Sequence, residues 1–192
     1  MPITFVGDKD QVDTKFTKAQ QKTADAWQQC ANENKASLSG EFDAWHMRFE
    51  LKGTLENREL EINGVRSTSN VSSNVIPVNS RFDETTTFIL SVPNLNQNNL
   101  EIVSKKFDSK IKSIFKGGQT FKSNYNLYST LTQDEIDKLI LEESFNKLKG
   151  FKLQKLRLKG TTLFLRFDRM FNAEPEIQTI LQELNKLSDL AG

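Results

Sequence analysis

The amino-acid sequence predicts an α+β fold, a single antiparallel sheet of about six or seven strands with three helices, the C-terminal helix packed on the sheet. Three observations predict it. Stretches alternating with period two recur in neighbouring pairs joined by short turns, as hairpins do. Stretches with apolar residues three and four apart stand between and after them, as amphipathic helices do. In the last quarter the two kinds meet: an oily-faced hairpin runs directly into a helix whose apolar stripe needs a sheet to cover.

The elements follow in order. Residues 1–16 are polar and weakly patterned and are read as a flexible arm; residues 17–192 are read as one domain, long enough to bury a sizeable core. From Thr17 a helix is expected, with Trp27, Cys30 and Ala31 on its buried side, ending between Asn34 and Gly40. Trp45, Met47, Phe49 and Leu51 alternate with charged residues, Glu56-Asn57 turns the chain, and Leu60 and Ile62 continue the alternation, so a hairpin is expected. Residues 66–84 are rich in Ser, Asn and Thr and read as a long, mobile surface loop. The β-branched run Thr85 to Val92 reads as a central strand and Leu100 to Val103 as a short one. Ser104 to Gly118 is basic and ambiguous, with Gly117-Gly118 as a breaker. Phe121 to Ser129 reads as one further strand.

Thr132 with Glu135 is a capping box opening a helix that carries Ile136, Leu139, Ile140, Phe145 and Leu148 and stops at Gly150. Leu156 and Leu158, then Leu163, Leu165 and Phe167, line one face of the last hairpin, turned at Gly160-Thr161-Thr162. Asn172 is read as an N-cap, Pro175 suits a first turn, and Ile177, Ile180, Leu181, Leu184 and Leu187 form the final stripe.

In this order the motifs resemble a widespread, functionally uncharacterised family of bacterial soluble domains, often found on membrane-anchored proteins. The matching residues are Trp27 and Ala31, Leu51-Lys52-Gly53 leading to Glu59-Leu60-Glu61-Ile62, and Thr86-Thr87 leading to Pro93-Asn94. The family's Gly-Asp-x-x-Phe-Asp segment is replaced by Gly118-Gln119-Thr120-Phe121-Lys122-Ser123, which lacks both acidic residues. The resemblance implies a fold and carries over no catalytic residue.

Composition excludes several classes of function. Lys and Arg total 26 against 25 Asp and Glu, so net charge alone selects no partner. One cysteine, Cys30, and one histidine, His46, exclude an internal disulfide and a Cys/His metal cage, and no metal site or cofactor is expected. Cys30 belongs to a core helix face and His46 to a polar strand face, so no thiol–imidazole pair is expected. No Gly-x-Ser-x-Gly elbow or phosphate-cradling loop is present. The adjacent pairs Asp83-Glu84 and Glu142-Glu143 read as solvated surface. No secretory signal and no apolar run of membrane-spanning length are visible, and a cytoplasmic location is expected.

Charge is unevenly distributed. Residues 104–169 carry 15 basic and 7 acidic side chains, a net +8, between flanks of −4 and −3. Lys105, Lys106, Lys110, Lys112 and Lys116 form one cluster, and Lys149 and Lys152 precede a second. Lys155, Arg157, Lys159 and Arg166 are expected to project from the outer face of the last hairpin, as a candidate binding face for anionic headgroups or an acidic protein partner. Few aromatic residues are interleaved for stacking on bases, so nucleic acid is the lesser option. The function expected is a non-catalytic binding or scaffold module acting at a protein or anionic membrane surface. The alternatives are a small apolar-ligand carrier, with a cavity between sheet and C-terminal helix, and an enzyme working with carboxylates and lysines alone.

Overall fold

The structure is a computed structural model and describes residues 3–8, 12, 14–68, 82–92, 99–108 and 119–191. The strands are β1 (Ile3–Phe5), β2 (Ser37–Phe42), β3 (Met47–Leu55), β4 (Arg58–Thr68), β5 (Phe82–Ser91), β6 (Leu100–Ser104), β7 (Gln119–Phe121), β8 (Tyr125–Ser129), β9 (Leu153–Lys159) and β10 (Thr162–Phe167). Among the described residues the helices are α1 (Lys15–Glu33), α2 (Gln133–Leu139), α3 (Glu142–Gly150) and α4 (Glu174–Ala191). One sheet contains all ten strands of the described residues, in the order β1-β2-β3-β4-β5-β10-β9-β6-β8-β7.

This corrects the expected sheet of six or seven antiparallel strands with three helices. The sheet is mixed, because β1 pairs with β2 in parallel, while every other pairing is antiparallel. Three local events account for the extra strands. Within the segment read as an arm, Ile3–Phe5 forms β1 beside Gly40–Phe42. The stretch read as the end of the first helix instead reverses at Lys35, whose φ is 50°, and enters β2. The single strand expected from Phe121 to Ser129 is two, because Lys122 and Ser123 both adopt left-handed φ, 47° and 56°, and fold β7 back on β8.

The capping box forms as expected: Thr132 accepts from the Glu135 N–H, and the Glu135 carboxylate accepts from the Thr132 N–H at 2.8 Å. The helix it opens breaks at Ile140-Leu141, however. A continuous helix would aim Phe145 about half a turn away from Ile136. The break turns Ile136, Ile140, Phe145 and Leu148 all inward, none more than 6 % exposed. The stretch 69–81 of the expected loop and most of the basic segment, 109–118, lie outside the described residues; Arg66 to Thr68 belong to β4 and Phe82 to Glu84 to β5.

All four helices pack on one face of the sheet around one continuous core. The stripe Ile177, Ile180, Leu181, Leu184 and Leu187 on α4 is between 0 and 3 % exposed. Trp27 of α1 is fully buried, and its Nε1–H donates to the Phe171 carbonyl at 2.9 Å. Gly64 on β4 makes room for it: a Cβ there would sit 2.6 Å from Trp27 Cζ2 and 2.7 Å from Met170 Sδ. The C-terminal end of α4 is tied to the start of β4 by Arg58, which donates to Asn185, Ser188 and Asp189. Helix α4 begins at Glu174, one residue later than an Asn172 cap would set it. The opposite face of the sheet is free of helices among the described residues, and the candidate site lies there and at its rim.

Candidate functional site on the open side of the sheet

Cys30 and His46 do not meet. Cys30 is buried and faces Asn34 Nδ2 at 3.6 Å, while His46 turns to Asp43, Nδ1 to Oδ2 at 3.3 Å. Burial, with the nearby charges of Glu174 and Glu33, pushes the Cys30 thiol up to about 12, so it stays protonated and unreactive at neutral pH. The adjacent acidic pairs diverge. Glu142 binds Lys122 at 2.6 Å and Glu143 binds Lys147 at 2.8 Å. Asp83 points to the open face while Glu84 turns inward to Arg66 at 2.5 Å. Among the described residues no group of His, Cys, Asp and Glu is arranged to hold a metal ion, and no helix is long and apolar enough to cross a membrane.

The basic residues do converge. After β6 the chain turns, with the Lys105 N–H donating to the Asn124 carbonyl at 2.9 Å. Helix α3 ends at Gly150, and Lys152, with φ of 64°, takes the left-handed position that redirects the chain into β9. Lys105 and Lys106 thereby meet Lys149 and Lys152 around an open hollow of about 380 Å³, with Tyr125 and Leu153 in its wall and Asp168 as its one carboxylate. Two clusters separated by over forty residues in sequence thus share one site. Lys149 also lies at the C-terminal end of α3, where a cation is favoured by the helix dipole.

The four residues expected to form the basic face project together from β9 and β10. A bulge between Leu153 and Lys155 puts both Gln154 and Lys155 on the outer side. Lys155 pairs with Glu101 at 3.0 Å. Arg166 donates to Gln154 at 3.0 Å and lies over the Phe107 ring, 5.1 Å from its centre. Arg157 lies over Phe164 at 5.2 Å, with its Nε buried and without a hydrogen-bond partner among the described residues. Lys159 is exposed. Arg157 and Lys159 border a second open hollow of about 360 Å³, shared with Glu101 and Tyr128. The Tyr128 hydroxyl donates to Asp108 at 2.6 Å, and that bond, with burial, pushes the phenol up to about 12. Glu101, Phe107, Asp108 and Tyr128 come from β6, the turn after it and β8, so the alternation within one hairpin could not reveal them as neighbours; Phe164 lies in the hairpin itself.

No family model matches the chain, and no curated protein matches it in sequence. Among solved structures it is similar to the mycobacterial trehalose monomycolate transport factor A, TtfA. The TM-score is 0.54 over 90% of this chain and 93% of that one, at 8% identity. The two share a fold.

Proposed function

We propose that the protein is a non-catalytic binding module of carrier type, which seats the anionic head of a partly apolar ligand in the lysine-lined hollow. The observation that carries this reading is the convergence of Lys105, Lys106, Lys149 and Lys152 on one open hollow whose wall includes Tyr125 and Leu153. Four ammonium groups against one carboxylate attract an anion, and the methylene stems of the lysines, with the small exposed edges of Tyr125 and Leu153, offer contact to the start of a chain. The stripe of α4 is filled by the sheet, so this reading puts the ligand at the surface and not beneath the C-terminal helix. Likeness in fold to a protein named as a transport factor supports a carrier above an enzyme.

A second reading, a module docking on an anionic membrane surface, is favoured by the exposure of Lys105, Lys106, Lys149 and Lys152. Native mass spectrometry of protein purified from cells separates the two. The carrier reading predicts extra mass that is lost on denaturation and is absent from a Lys105→Glu/Lys149→Glu variant. Bare protein in both samples, combined with sedimentation of the wild type on phosphatidylglycerol vesicles, would replace the carrier by the docking module.

A further inference from the structure

The open face of the sheet carries a second pattern, made by residues outside the lysine hollow. Five strands lie on each side of the seam between β5 and β10. One row across the strands, read from the cross-strand registers, sets Lys52, Glu61, Ile89, Phe164, Arg157 and Glu101 side by side on the outer face. The seam falls between Ile89 and Phe164. Outward from it, the row runs apolar, acidic, basic on one side and apolar, basic, acidic on the other. The neighbouring row repeats the relation, with Ser91 and Thr162 at the seam and Lys159 beyond them; Glu59, next to Leu60, falls in the mirrored place. Outward positions of β2 to β5 carry five acidic and two basic side chains, those of β10, β9 and β6 four basic and one acidic.

We propose that a second copy of this chain docks on this face, related by a two-fold axis running along the β5–β10 seam. Rotation about that axis lays each row over its own reversal. Glu61 then faces Arg157 of the second copy, Lys52 faces its Glu101, and Ile89 meets its Phe164, each contact occurring twice as two-fold symmetry requires. Apolar residues at the centre with charges outside them is the anatomy of a specific interface, and two sheets stack face to face at about 10 Å. The charge pattern selects this occupant over others. An acidic protein or an anionic membrane would suit only the β9–β10 side and would be repelled by the β2–β5 side. A copy of the same surface satisfies both.

The test is sedimentation velocity at low ionic strength, where charge pairing is least screened. The wild type should sediment at twice its 22.0 kDa mass and lose the dimer as salt is raised. A Glu59→Lys/Glu61→Lys variant makes both sides basic, and an Arg157→Glu/Lys159→Glu variant makes both acidic. Each alone should be a monomer. Mixed in equal amounts they should restore a dimer holding one of each, because opposite charges again face one another at both contacts. A monomeric wild type, dimers that survive either reversal, or a mixture that stays monomeric would each overturn the proposal. Far-ultraviolet circular dichroism checks folding. Should a reversal unfold the chain, Glu61→Gln and Arg157→Gln decide instead: each is expected to weaken the dimer about tenfold or more, and unchanged association would refute it.

Discussion

Thr86 is fully buried on β5, and its hydroxyl serves two backbone groups: it donates to the Arg169 carbonyl at 2.8 Å and accepts from the Phe171 N–H at 3.3 Å. It thereby fixes the turn that carries the chain from β10 to α4, beside the Trp27 bond to the same segment. Thr86→Val keeps the shape and orphans both groups, so it should cost about 1–3 kcal/mol, read as a lower midpoint of urea unfolding with the slope unchanged. A midpoint equal to the wild type would refute this anchoring role. Cys30 behaves as a protonated core residue. Its thiol should resist iodoacetamide at neutral pH and react once the chain is unfolded. Because its pKa rises from 9.0 to about 12 on folding, the unfolded chain gives up the proton first. Stability is therefore lost as pH climbs from about 9 towards 12, and Cys30→Ala should flatten that decline. The buried places of Trp27, Cys30 and Ala31 were legible, since helical spacing reports which side is inside. The tasks of Thr86 were not, because its partners are backbone groups more than eighty residues away.

At the scale of the elements, Glu183 joins α3 to α4. It is 2 % exposed, with Lys186 at 2.9 Å and Lys147 of α3 at 3.3 Å. Burial opposes its ionisation, but the bonds and charges from Ser144, Lys186 and Lys147 outweigh it and hold the carboxyl below its ordinary value. A lowered carboxylate pKa means stability that is present above about pH 4.5 and lost as the pH falls through the folded value. The lysines are about half exposed, so solvent screening keeps the contribution modest. Glu183→Gln should remove that part of the acid dependence in thermal melts between pH 3 and 6; a variant curve parallel to the wild type would contradict it. The long periodic elements, α1, α4 and the hairpins β3–β4 and β9–β10, were legible from period and turn residues. β1 and β2 were not. Three residues make too short a pattern, and Ser37 to Gly40 offers one large apolar residue, Leu38, so pairing with β3 decides that segment. The break between α2 and α3 follows from tertiary burial, which a capping box and a final glycine cannot report.

At the scale of the whole molecule, the helices of the described residues all lie on one side of a single sheet. Lys155, Arg157, Lys159 and Arg166 lie together on the outer face of β9 and β10. The sequence could not show that Lys105 and Lys106 meet Lys149 and Lys152, since a chain turn after β6 and another after α3 bring them together. Nor could it show that the acidic strands β2 to β4 balance the basic hairpin across the seam. The central claim is that the lysine hollow holds an anionic head with an apolar chain. The most direct test is calorimetric titration with dodecyl phosphate, below the concentration at which it forms micelles, against uncharged dodecanol. Lys105 and Lys149 together are worth about 2 kcal/mol at about 1 kcal/mol per lysine near the surface, a factor of about 30 in Kd. Saturable binding of dodecyl phosphate and weaker binding of dodecanol are predicted, with a loss of at least that size in Lys105→Glu/Lys149→Glu, which adds two repelling carboxylates to the two charges removed. Equal affinity of the wild type and the variant for dodecyl phosphate would contradict it.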